Sequence, residues 1–239
     1  RFGLRHSKNS MATASVARAT VLLSEGKLDE AAEELELPEQ DIVRIDAWEQ
    51  FATVEARVNR YRYGNRDALL TLRRRITDAG VNRMSHSSAS RMTAEVANLL
   101  IYQGELVPAR QLLGLPLTST PALSLARARL ALVSGEHAEA LALAERAKGL
   151  GDWSENSVAN FLVAIALDAD GDRSGAIREL KDSNLSLPKS RLRLVLSELP
   201  YEPLHEISRA YAVEDESRLL RLVEGLADFC KFKGTVPLT

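Results

Sequence analysis

Apolar residues recur at helical spacing along most of the chain, in segments that come in pairs around a short turn. Each turn carries a Gly at its third position, with one apolar-periodic segment before it and another after it. These glycines stand 31 to 40 residues apart. The five turns are Ser24-Glu25-Gly26-Lys27, Arg62-Tyr63-Gly64-Asn65, Tyr102-Gln103-Gly104-Glu105, Val133-Ser134-Gly135-Glu136 and Ala169-Asp170-Gly171-Asp172. The pattern predicts five helix hairpins.

Small residues keep register with the glycines in four of the five pairs. Seven positions before the Gly stand Ala19, Ala97, Ala128 and Ala164, and five positions after it stand Ala31, Ala109, Ala140 and Ala176. Small side chains let two helices cross closely, and Gly supplies the backbone angles of a tight turn. Chance in an Ala-rich chain is the alternative. The pair around Gly64 differs, because Arg57 and Leu69 occupy its two sites, and we interpret it as divergent or re-aimed.

Prolines mark the ends of pairs, because proline stops a helix. They are Pro38, Pro116, Pro121 and Pro188. The predicted helices cover about 11–25, 28–37, 41–62, 66–79, 87–103, 106–114, 121–134, 137–149, 154–169, 173–183, 189–198, 201–211 and 214–231. The repeat length brackets the roughly 34 residues of a tetratricopeptide unit. We therefore predict an all-α fold, a right-handed α-α superhelix of tetratricopeptide-like hairpins over 1–188, closed by helices in 189–232 and followed by a linker at 233–239.

Composition and charge narrow the class of protein. The net charge of -2 gives no global field for nucleic acid or an anionic membrane, and no apolar run approaches the roughly 20 residues of a membrane span. The single cysteine, Cys230, excludes a disulfide within the chain and favours a reducing, cytoplasmic setting. The start at Arg1 carries neither an initiator Met nor an apolar signal core, and we expect it to lie inside a longer protein.

Motifs for catalysis or cofactor binding are missing from the sequence. His6, His86, His137 and His205 are not paired at metal-ligand spacing. There is no phosphate-binding Gly-rich loop and no Gly-x-Ser-x-Gly elbow. We predict no enzyme activity, no metal and no cofactor; a hydrolytic domain is the weaker alternative.

One acidic turn invites a calcium hypothesis. Asp168, Asp170, Asp172 and Glu179 have the oxygen spacing of an EF-hand loop. The sixth position, which requires Gly, is Arg173. The repeat register explains the segment as another hairpin turn, and we expect no calcium binding tighter than about 1 mM.

Seven arginines fall between positions 57 and 75, opposed in that stretch only by Asp67. They indicate either a docking patch for an acidic partner or phosphate, or a solvated helix face. The candidate docking residues are Arg57, Arg60, Arg73, Arg74 and Arg75.

The concave face of a helical superhelix is its usual binding surface, and first helices build it. The glycine register places seven candidate ligand-binding residues there: Arg44, Trp48, Arg91, Asn98, Tyr102, Arg129 and Phe161. Asn and Arg beside aromatic rings could hold a sugar, a metabolite or a peptide. For Phe161 the alternative is a place in the core between repeats.

The end of the chain carries a family resemblance. Gly234-Thr235-Val236-Pro237-Leu238-Thr239 resembles the linker that enters a LuxR-type DNA-binding module, which commonly opens with Leu-Thr and then an Arg-Glu motif. The segment from Ser190 to Cys230 resembles the last helices of the sensor region of MalT-like, LuxR-type regulators. The resemblance implies a superhelix between an ATPase module and a helix-turn-helix, and it carries no catalytic residue onto this chain.

These observations favour an effector-sensing and protein-interaction domain of a bacterial transcription regulator. Its partner would be a small-molecule effector or a protein or peptide, with DNA reached only through a domain outside this chain and a homo-oligomer left open. The alternative is a tetratricopeptide scaffold or co-chaperone that binds peptide segments and has no DNA-binding module.

Overall fold

The computed structural model describes residues 2–36, 48–79, 84–182, 188–214 and 218–225, and within these ranges it contains thirteen helices and no strand. The all-α prediction is therefore confirmed. The helices are α1 (Phe2–Glu25), α2 (Leu28–Glu33), α3 (Trp48–Tyr63), α4 (Asn65–Ala79), α5 (His86–Ile101), α6 (Leu106–Leu113), α7 (Pro121–Val133), α8 (His137–Ala147), α9 (Trp153–Ala169), α10 (Arg173–Asp182), α11 (Lys189–Leu196), α12 (Tyr201–Glu214) and α13 (Arg218–Glu224). None of these helices is both long and apolar enough to cross a membrane.

Five helix hairpins form the array: α1–α2, α3–α4, α5–α6, α7–α8 and α9–α10. The first helix of each hairpin packs against the first helix of the next, from α1 through α3, α5 and α7 to α9. Each second helix of the first four hairpins also packs against the first helix of the next hairpin. The array therefore has one face built from first helices, as the repeat predicts.

The five glycines of the register all have positive φ, between 76° and 110°. At Gly104 the turn closes with two backbone hydrogen bonds of 2.9 Å, from Gly104 N–H to the Ile101 carbonyl and from Glu105 N–H to the Leu100 carbonyl. The turns at Gly26, Gly135 and Gly171 repeat this pattern. The carbonyls at each helix end thus accept hydrogen bonds from the turn. The turn needs one residue in the left-handed conformation, which Gly adopts without strain.

The alanines of the register lie where the helices cross. All eight, from Ala19 to Ala176, are at most 2% exposed. Their burial confirms that the two small positions of each regular hairpin belong to its core.

The second hairpin keeps a pair of alanines but shifts it by one position. Its second helix begins at Asn65, directly after Gly64, whereas the other four begin two residues after their Gly. Ala56 and Ala68 are 5% and 0% exposed, and each stands one position before the site that the register predicts. Arg57, at the predicted site itself, is half-buried.

Three further helices close the array, and α11 contacts both α1 and α9. An eight-residue helix is about 12 Å long, whereas five helices side by side would span roughly 32–40 Å if the row were straight. The row of first helices must therefore curve, with α11 on its concave side. Leu192, Val195 and Leu196 of α11 are at most 1% exposed in the core that also contains α1 and α9.

Several predicted helices have other bounds in the structure. α1 begins at Phe2 instead of near position 11, since no proline interrupts the segment before it. The helices predicted at 201–211 and 214–231 correspond to α12 and α13, but α12 ends at Glu214 and α13 begins at Arg218. Positions 226–231 lie outside the described residues. α12 and α13 pack against each other.

Helical spacing predicts that the last helix buries one apolar stripe, formed by Leu219, Leu222, Val223, Leu226 and Phe229, and the described part of this stripe is confirmed. Leu219, Leu222 and Val223 are at most 5% exposed, and Arg221 and Glu224 are exposed. Leu226, Phe229, Cys230 and the predicted linker 233–239 lie outside the described residues.

Candidate functional site

The turn that follows α11 enters the concave face and meets polar side chains from three first helices. We call this set the groove cluster. It consists of Arg57, Arg60, Tyr61, Glu95, Asn98, Tyr102 and Arg129 around Ser197 and Glu198. Asn98 and Arg129 each stand six positions before the Gly of their hairpin, so the repeat itself places them on the same face.

The backbone carbonyls of the turn receive most of the close hydrogen bonds. Arg60 donates to the Ser197 carbonyl at 3.1 Å. The Glu198 carbonyl accepts from Arg129 Nε at 2.9 Å and from the Tyr102 hydroxyl at 3.1 Å. The Tyr61 and Ser197 hydroxyls also share a hydrogen bond. The groove thus recognises two consecutive peptide carbonyls.

The Glu198 carboxylate is held more loosely. One oxygen lies 3.3 Å from the Tyr102 hydroxyl, and the other lies 3.6 Å from Arg57 Nε and 3.7 Å from an Arg60 nitrogen. Arg57 Nε is buried and has no hydrogen-bond partner among the described residues. A cavity of about 10 Å³ lies among these groups, which is room for roughly one water molecule.

Packing fixes the cationic side chains in place. The Arg60 guanidinium lies 4.0 Å from the centre of the Tyr102 ring, a stacking geometry that Arg favours. Arg129 donates to the Asn98 side chain at 3.3 Å, and Arg57 donates to Glu95 at 3.4 Å. The donors are therefore oriented by neighbours within the array.

The charges of the groove cluster shift the pKa values of its two acids in opposite directions. Burial raises the pKa of Glu198, but Arg57, Arg60 and Arg129 outweigh burial and hold it below its ordinary value. The pKa of Glu95 is raised, because burial and the Glu198 charge outweigh its arginine neighbours. Burial also raises the pKa of the Tyr102 phenol, so this hydroxyl stays a donor at neutral pH. At neutral pH Glu198 is an anion among cations.

Of the predicted concave-face residues, the structure brings three together: Asn98, Tyr102 and Arg129, each at most 6% exposed in the groove cluster. Phe161 is 1% exposed and lies in the core, as the alternative interpretation of this ring predicts. Trp48 is partly buried and packs its large apolar ring against the core. Arg91 is exposed on α5, and Arg44 lies outside the described residues.

The arginines predicted as one docking patch do not form one. Arg57 and Arg60 turn into the groove, and Arg75 is 6% exposed with two hydrogen bonds of 2.7 Å to Glu55. Arg73 and Arg74 stay on the surface of α4. These arginines lie on two helices, α3 and α4, and positions along a helix point in different directions. The side chains therefore do not meet in one patch.

Glu95, Tyr61, Ser197 and Glu198 were missed by sequence reasoning. Glu95 stands three positions before Asn98 on α5, so helical spacing could have found it. For Ser197 and Glu198 no local pattern was available, because their partners lie 69 to 141 positions earlier in the chain.

The carboxylates of the acidic turn are engaged by other groups. Asp168 pairs with Arg173 through two hydrogen bonds of 2.7 and 3.1 Å, and Glu179 accepts from Lys148 at 2.7 Å. Asp172 caps the next helix by accepting from Gly175 N–H at 2.8 Å. Within the described ranges, no group of three or more His, Cys, Asp or Glu side chains is placed to hold a metal.

The side chains of the groove cluster can bind acceptor oxygen atoms. Guanidinium and phenol donors from three helices converge on two carbonyls and one carboxylate. Comparison of this chain with protein-family models, with curated proteins and with solved structures gives no match.

Proposed function

We propose that this chain is an effector-sensing and protein-interaction domain that binds its ligand in the concave groove. The observation that carries the proposal is the convergence of Arg60, Tyr102 and Arg129 on the turn at Ser197 and Glu198. Three separate helices supply these donors, so the site is built by the stacking of hairpins and not by one local motif. A site of this kind suits binding better than catalysis.

The position of the turn gives binding a route to the rest of the protein. Ser197 and Glu198 connect α11 to α12, and α12 packs against α13. A ligand that competes for the groove donors would shift the balance between arrangements of these helices. The C-terminal helices would then report whether the groove is occupied by the turn or by a ligand.

The proposed setting is a LuxR-type transcription regulator, in which the reporting helices lead toward a DNA-binding module outside this chain. Its support is the resemblance at 234–239 together with the helical array. Recognition of peptide carbonyls favours the second candidate, a scaffold that binds peptide segments and has no DNA-binding module. Translation of the gene beyond Thr239 separates the two: a Leu-Thr-x-Arg-Glu start followed by two helices supports the regulator.

Hydrogen exchange tests the link between the groove and the C-terminal helices. Arg129→Gln removes one of the two donors to the Glu198 carbonyl, and we expect faster exchange of the amides in α12 and α13. Arg127→Gln is the matched control, because Arg127 lies on the same helix but donates to the Leu113 carbonyl at 2.7 and 3.1 Å. Equal exchange in α12 and α13 for both variants and the parent chain would contradict the proposal.

A further inference from the structure

The groove contacts the turn mainly through groups that any peptide could present. Two of the three acceptors are consecutive backbone carbonyls, and the third is the carboxylate of Glu198. Only the Ser197 hydroxyl and this carboxylate depend on sequence. A free small acid or a phosphate lacks the paired carbonyls, so the pattern of acceptors indicates a peptide with an acidic residue.

The ion pairs of the groove are longer than the pair between Arg75 and Glu55 in the second hairpin. Arg75 and Glu55 make two hydrogen bonds of 2.7 Å, the bidentate geometry of a strong pair. In the groove, Arg57 and Arg60 stay 3.6 and 3.7 Å from the Glu198 carboxylate, and Arg57 Nε finds no hydrogen-bond partner among the described residues. The donors of the groove can therefore accommodate another carboxylate at least as well as the present one.

The charge of the groove without Glu198 points to the same class of ligand. Within the groove cluster, Glu95 would then supply the remaining carboxylate near Arg57, Arg60 and Arg129. A concave face with excess positive charge attracts acidic segments and raises their rate of association. A neutral or basic segment would bring no counter-charge to these buried cations, which is unfavourable.

We infer that Ser197 and Glu198 are an internal ligand, and that the groove binds an acidic peptide segment of a partner protein in their place. This inference rests on the proposed function and names its ligand. Leu196 and Leu199, at most 1% exposed, anchor the turn on both sides. A tethered segment competes at an effective concentration that reaches the millimolar range, so the parent chain holds its groove closed against weak ligands.

Peptide binding to the whole chain tests the inference. The probe is a fluorescent peptide with the sequence of residues 194–201 and neutral, blocked ends, so that Glu198 is its only charged side chain, and the control probe carries Glu198→Gln. We expect the protein variant Glu198→Ala to bind the acidic probe about tenfold more tightly than the parent chain does, which corresponds to 1.4 kcal/mol. The Gln probe should bind this variant about tenfold less well than the acidic probe, and Arg129→Gln in the same background should remove the binding.

Three results would overturn the inference: equal affinity of parent and variant, equal affinity for the two probes, or binding that survives Arg129→Gln. Competition by free glutamate as strong as that by unlabelled peptide would also overturn it, because the peptide carbonyls would then play no part.

A second variant and a second readout keep the test decisive. Glu198→Gln preserves the shape of the side chain, and we expect it to bind the acidic probe more tightly than the parent chain even if Glu198→Ala fails to fold. No gain with Glu198→Gln, while Arg129→Gln still alters exchange in α12 and α13, would reject the internal ligand and leave the sensing function standing. Probe binding without any change in exchange would reject the sensing function instead.

Discussion

The second hairpin and the fourth hairpin use the same position of the repeat for different purposes. Seven residues before its Gly, the fourth hairpin has Ala128, 1% exposed at a helix crossing. The second hairpin has Arg57 there, and its guanidinium faces Glu95 and Glu198 in the groove. One residue fewer after Gly64 accompanies a shift of the small pair to Ala56 and Ala68.

A one-position shift matters because one residue is about 100° of helical turn. A position that is locked in a crossing in one hairpin can therefore face the groove in another. A repeat can therefore place a new side chain in the groove without losing its close crossing, if the connection between its helices changes length.

Removal of the groove anion should have the largest effect. Glu198→Ala leaves the groove arginines without their main counter-charge, and loss of one partner of a buried ion pair costs about 3–5 kcal/mol. We expect a lower free energy of unfolding in urea, partly restored by acetate but not by chloride at equal ionic strength. Glu206→Ala, at an exposed position of α12, is the control and should stay within about 0.5 kcal/mol of the parent. Equal effects of the two variants would show that Glu198 is not the main counter-charge of the groove arginines.

Overpacking tests whether the crossing moved by one position. Ala128→Leu and Ala56→Leu should each destabilise the fold by about 1–3 kcal/mol, because both side chains are buried at crossings. Ala138→Leu on the exposed side of α8 should be close to neutral. Urea unfolding of the three variants gives the comparison directly. A neutral Ala56→Leu would mean that the second hairpin does not keep its small pair.

The glycine turns should differ in what they tolerate. Gly104 has φ of 76° and Gly64 has φ of 110°, whereas left-handed residues other than Gly cluster near 50–70°. We expect Gly104→Asn to cost less than about 1 kcal/mol and Gly64→Asn to cost about 1–2 kcal/mol. Thermal unfolding measures both. The opposite order would show that the second turn is not the more constrained one.

The pH dependence of stability should give the smallest effect and the clearest sign. The folded pKa of Glu95 is raised, so its contribution to stability is present below its ordinary value of 4.5 and is lost as pH rises through the folded pKa. Glu95→Gln should therefore stabilise the protein at neutral pH and change little in acid. The folded pKa of Glu198 is lowered, so its contribution is present above 4.5 and is lost as pH falls through the folded pKa.

Glu198→Gln should accordingly destabilise the protein at neutral pH, and its effect should fade in acid. Ala128→Leu serves as the reference, because an apolar crossing should respond equally at every pH. Urea unfolding from about pH 3 to about pH 7 checks all three variants, because the loss of the Glu198 contribution falls below its ordinary pKa of 4.5. Parallel pH profiles for Glu95→Gln and Glu198→Gln would contradict the opposite shifts.

The hairpins, their turns and their crossings can be predicted from the amino-acid sequence alone. A left-handed Gly, a small residue at a crossing and an apolar stripe such as Leu219, Leu222 and Val223 are set by interactions within a few residues or between adjacent helices. The same register placed Asn98 and Arg129 on one face, because equal positions of equal repeats point the same way. These features could be read from spacing alone.

Which groups fill the concave face depends on how helices that are distant in the sequence pack together. Glu198 meets Arg57, Tyr102 and Arg129 across 69 to 141 positions of chain, and nothing in its local sequence marks it as a groove residue. The arginines between 57 and 75 separated for the same reason: Glu55, Glu95 and Glu198 pair with Arg75 and Arg57 only after helices have packed. Periodicity fixes the direction of a side chain on its own helix, whereas the curvature of the row and the entry of α11 determine which groups that side chain meets.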